Sequence, residues 1–214
     1  MSVSFDFQQL TERQRYKLMI GTIIPRPIAL VTTVDENGRI NAAPFSFFNC
    51  LSADPPILAI GVENNVDMSF KDTGHNIRMT EVFTVNIVSF AIAEAMHVCG
   101  AKYPRGVDEL KEAGLTAMPG EKVASPFIAE APAAFECKRH VTLELGRSRQ
   151  IVMGEIVYAH YRDGVVDPER LHVDPAAVDA IARLGGDTCA TTRDRFEMLT
   201  PKLLHRAFPF SSES

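Results

Sequence analysis

Residues 28–43 read IALVTTVDENGRINAA: two β-branched runs held apart by a four-residue turn signal. Asn-Gly tolerates positive φ at both central positions of a tight turn, so Ile28–Thr33 and Arg39–Ala43 are expected to pair as an antiparallel hairpin. Pro44 lacks a backbone N–H and should end that pairing, with Phe45–Asn49 continuing as an extended segment. Pro55-Pro56 breaks the chain before a further strand, Ile57–Val62. Val82–Val88 is apolar enough to be a strand buried on both faces. Ala134–Ser148 and Gln150–Tyr161 are the longest strand candidates, joined by a turn or bulge at GRSRQ. In the second, Ile151, Met153, Glu155, Val157, Ala159 and Tyr161 share one face by the two-residue period.

Helical signals are fewer. Asp67 is placed to cap a short helix from Met68, and Asp72-Thr73 the next turn. Ser89 should cap a helix to about Cys99, and Asp108–Ala113 a short one closed by Gly114. Asp174-Pro175 opens a helix-like stretch to Leu184 that Gly185-Gly186 would end. Many strands at short spacing with few helices between them predict a mainly β fold, an antiparallel β-barrel and not a doubly wound sheet.

The length of 214 residues suits a single domain, with an N-terminal extension of about residues 1–15 and a C-terminal tail of about 202–214. A net charge of −5 gives no basic field for a nucleic-acid backbone, so no nucleic-acid partner is expected. The N-terminus lacks the apolar core of a signal peptide, and no apolar run reaches the length of a membrane span. The four cysteines, Cys50, Cys99, Cys137 and Cys189, form no C-x-x-C and share no ligand spacing with the histidines. A cytoplasmic protein with reduced thiols, no disulfide, no metal site and no membrane partner is the expectation.

Chemistry concentrates between Pro25 and Asn76. A phosphate monoester is a dianion that needs several donors at one point and a cation for balance. Ser46, Lys71 and Thr73 offer two hydroxyls and an ammonium, and Thr73 falls where the N–H groups of a helix entry would point. Neither G-x-x-x-x-G-K-[ST] nor a strand-borne G-x-G-x-x-G is present, so side chains and short turns must do the binding. No G-x-S-x-G, S-x-x-K or cysteine–histidine pairing offers a nucleophile, and no catalytic side chain is assigned. A chain of this kind can still be an enzyme if a cofactor carries the reaction.

Five motifs in order complete the picture: PRPIALVTT from Pro25, NAAPFSFFN from Asn41, Asp54-Pro55-Pro56, KDTGHNI from Lys71, and Phe83-Thr84-Val85-Asn86. Together they resemble the flavin reductase-like family, which includes flavoredoxin and the reductase components of two-component flavin monooxygenases. The resemblance runs from roughly Tyr16 to Pro201. It implies a split β-barrel that binds FMN at a homodimer interface. It further implies that Thr32, Thr33 and the segment Ala43–Ser52, including Ser46, Phe47 and Asn49, line the isoalloxazine and ribityl chain. Ser46, Lys71, Asp72 and Thr73 would hold the phosphate end, with Asp72 aiming or capping. Arg183–Gly186 resembles the family's late loop near the flavin, although Cys189-Ala190 stands where relatives often carry an aromatic residue. The implied activity is hydride transfer from NADH or NADPH to flavin, with electrons passed to free flavin, a monooxygenase or another acceptor. The alternatives are a flavoredoxin-like electron carrier without direct NAD(P)H use, or a non-catalytic flavin- or haem-binding module.

Overall fold

The Asn-Gly turn forms and sets the first register. Gly38 takes φ +77° and its N–H donates to the Asp35 carbonyl at 3.0 Å. The strands it joins, β1 (Ala29–Val34) and β2 (Ile40–Phe45), pair antiparallel from Ala29 opposite Phe45 to Val34 opposite Ile40. Pro44 does not end the strand: it lies inside β2, opposite Leu30. That is tolerated because β2 is an edge strand, where a missing N–H breaks no ladder bond.

In this computed structural model, which describes residues 2–198, five more strands complete the main sheet. They are β3 (Phe48–Ala53), β4 (Pro56–Glu63), β5 (Val82–Ile87), β6 (Ala133–Leu145) and β7 (Arg149–Tyr161). The order is β2-β1-β5-β6-β7-β4-β3, with every neighbouring pair antiparallel. The two edge strands, β2 and β3, are consecutive in the chain and separated only by Ser46 and Phe47. Consecutive Cα atoms are about 3.8 Å apart, so so short a link forces the two edges of the sheet together. The Phe47 carbonyl accepts from the Gly61 N–H of β4 at 2.7 Å, which extends the β3–β4 pairing into this link.

Two apolar clusters follow from strand alternation. One gathers Ala29, Val31, Leu58, Ile60, Val62, Phe83, Val85 and Val152, with Ile77 supplied by α2 (Asp72–Thr80). A Cβ on Gly154 would collide with the Phe83 ring, so the strand needs glycine there. The other gathers Leu30, Ala42 and Val88 with residues of α3 (Ala93–Cys99) and α4 (Glu109–Ala113), which cover that face. On β7 the buried side chains are Gln150, Val152 and Gly154, whereas Ile151, Met153, Glu155 and Val157 are half-exposed. Register shifts between Met153 and Gly154 and between Ile156 and Tyr158 interrupt the simple period before Ala159 and Tyr161.

The helices correct several expectations. Asp67 caps no helix; its carboxylate accepts from the Ser69 N–H at 3.0 Å within a turn. Lys71, not Asp72 or Thr73, is the N-cap residue of α2. Ser89 precedes a single 3-10 turn, Phe90–Ile92, that leads into α3, and its hydroxyl makes no capping bond. The Asp108-capped helix closed by Gly114 at φ +66° forms as read. The stretch from Asp174 is helical only over α5 (Pro175–Val178), and Asp179 at φ +44° ends it. Ile181–Arg183 is instead a strand between Arg26–Pro27 and Cys189–Thr191. An additional helix, α1 (Glu12–Thr22), begins with a Thr11/Gln14 capping box and buries none of its residues. The tail expected at about 202–214 lies outside the described residues. Among the described residues no helix is long and apolar enough to cross a membrane.

Candidate functional site

The first turn of α2 is an open donor site. Lys71 has extended backbone at the N-cap and no side chain caps the helix. The leading N–H groups therefore lack intrahelical partners, and the helix dipole adds partial positive charge. The Lys71 side chain is exposed and forms no ion pair among the described residues. The Asp72 carboxylate is engaged by Arg105, with Nε 3.3 Å away, which offsets its negative charge beside this entry.

Thr73 is 2 % exposed and held by a polar network. Asn41 Nδ2 donates to Thr73 Oγ1 at 3.1 Å and lies 3.4 Å from Thr33 Oγ1. Asn76 Nδ2 donates to Thr33 Oγ1 at 3.0 Å. This network ties β1, β2 and α2 together. The Thr73 hydroxyl proton has no protein acceptor among the described residues, so it is left to donate to a ligand. Glu109 fastens α4 to the same edge by accepting from the Ala42 N–H at 2.9 Å. Burial, with smaller contributions from the Asp72 and Asp108 charges, raises its carboxyl above the ordinary range.

Further along the same chain segment, Ser46 is half-buried and Phe47 exposed at the bend between β2 and β3. Phe47 packs beside Tyr16 of α1, ring centroids 6.3 Å apart. Asn49 through Ala53 are all exposed, an unusual state for a strand carrying Cys50 and Leu51. Asn49 Oδ1 accepts from the Cys50 N–H, and Ser52 Oγ from the Asp54 N–H, leaving the Asn49 amide N–H groups and the Ser52 hydroxyl proton available. Ala43 is half-buried on β2.

Thr33, Lys71, Asp72 and Thr73 thus gather around α2 through Asn41 and Asn76, while Ser46, Phe47, Asn49 and Ser52 lie along the bend and β3. Thr32 stands apart. It is fully buried, its hydroxyl donates to the Pro126 carbonyl, and it accepts from Asn86 Nδ2 at 3.2 Å. Adjacent strand residues face opposite ways, so Thr32 and Thr33 cannot both face one ligand with their side chains.

Sequence reasoning did not single out Asn41, Asn76, Arg105 or Arg26 for these tasks. Arg26 is 7 % exposed and donates to the carbonyls of Ile20 at 2.6 Å, Ile23 at 3.0 Å and Leu184 at 2.9 Å. It joins the C-terminal end of α1 to the Arg183–Gly186 loop. In that loop Arg183 Nη2 donates to the Gly186 carbonyl at 2.7 Å, and the exposed Cys189 Sγ lies 4.0 Å from Arg183 Nη1. Among the described residues no three potential ligands cluster to hold a metal ion.

An uncapped helix entry, an exposed ammonium and a spare hydroxyl proton fit the phosphate of a mononucleotide. The exposed hydroxyl and amide groups on the bend and β3 fit the polar remainder of such a molecule.

Known proteins agree with this class. The profile of the flavin reductase like domain matches residues 20–182. The chain belongs to that family, and the class it defines is the flavin-binding oxidoreductases. Among solved structures it is similar to the 2-nitrobenzoate 2-nitroreductase NbaA of Pseudomonas fluorescens, at 37 % identity and TM-score 0.86 over 96 % of this chain and 100 % of that one. It is also similar to component B of nitrilotriacetate monooxygenase from Bacillus cereus, at 29 % identity and TM-score 0.88 over 92 % and 99 %. A third likeness is to a split barrel domain protein from Shewanella frigidimarina, at 25 % identity and TM-score 0.80 over 94 % and 100 %. The expected antiparallel split barrel is thereby the fold of this chain.

Proposed function

We propose that this protein is an FMN-binding NAD(P)H:flavin oxidoreductase that works as a homodimer. The observation that carries the reading is the uncapped entry of α2, with Lys71 beside it in no ion pair among the described residues, fixed by Asn41 and Thr73 to the strand that runs on into the exposed bend. Bound FMN would supply the two-electron chemistry that the protein's own side chains lack.

The chain's part is to bind and orient. Lys71, Thr73 and the first N–H groups of α2 hold the phosphate, with Asp72 kept in check by Arg105. Ser46, Asn49 and Ser52 donate to the ribityl chain and the ring edge, while Ala43 and Phe47 supply apolar contact. Thr33 steadies the network from β1, and Thr32 holds the β1 backbone from its other face. The Arg26-anchored loop around Gly185-Gly186 would border the ring. A nicotinamide must approach within about 3–3.5 Å of its acceptor, so one side of the ring would have to stay open.

Exposed apolar residues support the homodimer. Leu51 on β3, with Val141, Leu143 and Leu145 on β6, present side chains that a second copy would cover. Free flavin or a monooxygenase partner is the electron acceptor in this reading, as the likeness to a monooxygenase component B supports. The 37 % identity to a nitroreductase favours a nitroaromatic compound as a second acceptor class.

The test is spectroscopic. Purified protein should show the paired near-ultraviolet and blue bands of a flavin, and anaerobic mixing with NADH or NADPH should bleach them. A Soret band would replace the reading with haem binding. A flavin spectrum that neither nicotinamide bleaches would leave an electron carrier fed by a protein partner.

A further inference from the structure

A cleft of about 170 Å³ opens between the C-terminal end of β7 and the segment leading into β6, and it shares no residue with α2, β3 or the bend. Three rings line it, those of Phe127, His160 and Tyr161, and its other walls include the methyl groups of Ala131 and Ala134. Arg162 lies at its border. One guanidinium nitrogen of Arg162 donates to the Ala177 carbonyl at 2.9 Å, and the rest of the donor fork is uncommitted.

His160 is held firmly. Its Nε2 lies 2.6 Å from Glu136 Oε1, and its ring stacks on Phe127 with centroids 3.9 Å apart and planes 15° from parallel. Tyr158 flanks it with its centroid at 5.0 Å. Glu136 is fully buried and also accepts from the N–H groups of Glu121 at 2.7 Å, Lys122 at 2.7 Å and Val123 at 2.9 Å. A carboxylate so anchored fixes the imidazole that donates to it, and His160 Nδ1 has no partner among the described residues.

Nothing in the flavin reading uses this arrangement. An open cleft walled by rings and alanine methyl groups leaves apolar surface in water unless a ligand covers it. The volume is that of one aromatic ring, since an apolar cavity of about 150 Å³ accepts benzene. Among its described lining residues there is one permanent cation and no carboxylate. We propose that this cleft is a second ligand site, which takes a single-ring aromatic carboxylate. The ring packs against Phe127 and Tyr161 beside the fixed His160 ring, and the carboxylate meets Arg162.

The test uses the FMN-loaded protein and 4-fluorobenzoate, followed by fluorine NMR line broadening. A ligand of this size should bind with a Kd on the order of 1 mM. Arg162→Gln removes the rim cation, and Ala129→Leu fills the cleft from an exposed position that also lines it. Each should weaken binding about tenfold or more while the melting temperature and the flavin spectrum stay those of wild type. 4-Fluorobenzylamine, with the same ring and the opposite charge, should not bind. No broadening in the wild type up to about 20 mM would overturn the proposal. So would binding unchanged in both variants, or fluorobenzoate binding to FMN-free protein that added FMN abolishes, which would place it at the flavin site.

Discussion

Asn41 on the edge strand β2 donates through Nδ2 to the hydroxyl of Thr73, in the first turn of α2, at 3.1 Å. Both side chains are at least nine-tenths buried, and the contact fixes the helix entry relative to the strand that carries the bend. Asn41→Ala removes it and the contact with Thr33 together. The loss of buried hydrogen bonds should cost about 1–3 kcal/mol. For a chain of this size that lowers the melting temperature by about 2–4 °C per kcal/mol. Thermal unfolding of FMN-free protein measures it, and an unchanged midpoint would show that the network contributes nothing to the fold.

The hairpin at Asn37-Gly38 and the long strands β6 and β7 were legible in the sequence because their signals are local: turn chemistry and β-branched runs. The stretch after Asp174 is not legible, for the opposite reason. Its helix-like composition yields to pairing with Arg26–Pro27, far away in the chain, which no local pattern reveals. Helix α1 carried a readable capping box at Thr11 and Gln14, but with no buried face it gave no amphipathic period to confirm it. At the candidate site, charge and a helix entry single out Lys71 and Thr73 from sequence alone. Their bracing by Asn41 and Asn76 is not legible there, because a side-chain amide shows its partner only once the strands are placed.

Glu136 makes acid stability a sharp reporter. Burial by itself pushes its carboxyl up, but the bonds from the Glu121 N–H, His160 and the Lys122 and Val123 N–H groups outweigh it and hold the folded carboxyl below its ordinary value of 4.5. A depressed carboxylate stabilises the fold above its unfolded pKa, and that contribution is lost as pH falls from about 4.5 through the lower folded value. Glu136→Gln should therefore be less stable than wild type at pH 7, by about 1–3 kcal/mol. The gap should narrow toward pH 3. Urea midpoints across that range check it, and a constant gap would remove the carboxylate from the acid limb.

The thiols should divide by burial. Cys99 and Cys137 are buried, and burial with the neighbouring Glu109 charge pushes the Cys99 thiol up to about 12; Cys137 is raised as well, chiefly by burial. Cys50 and Cys189 are exposed. Iodoacetamide at pH 8 should add two labels to the native protein and four after denaturation, read by mass spectrometry. Cys50→Ser and Cys189→Ala should leave flavin reduction largely intact. Loss of reduction in Cys189→Ala with FMN still bound would reveal a thiol role in the late loop.

Assembly follows from the exposed apolar side chains of β3 and β6. Light scattering should give twice the 23.6 kDa chain mass at micromolar concentration. Leu143 is 43 % exposed in the single chain, and Leu143→Asp should shift the protein toward monomer if a second copy covers that face. A wild-type mass of one chain would remove the dimer from the proposed function.

The phosphate end allows the most specific test. Lys71 is motivated by its lack of an ionic partner among the described residues and by its place at the uncapped entry of α2. Losing a charge-assisted hydrogen bond to a dianion costs about 1.5–3 kcal/mol, a roughly ten- to hundredfold loss of affinity. Lys71→Ala should weaken FMN by that factor and riboflavin hardly at all, because riboflavin has no phosphate. Thr73→Val should act in the same direction more mildly, since it removes a neutral donor. It should also lower the melting temperature, because the Asn41 amide loses its 3.1 Å acceptor. Fluorescence titrations with the two flavins against wild type and each variant separate the cases. Equal losses for FMN and riboflavin would assign Lys71 to the fold or the ring site. No loss for either would move the phosphate away from α2 and withdraw the observation on which the proposed function rests.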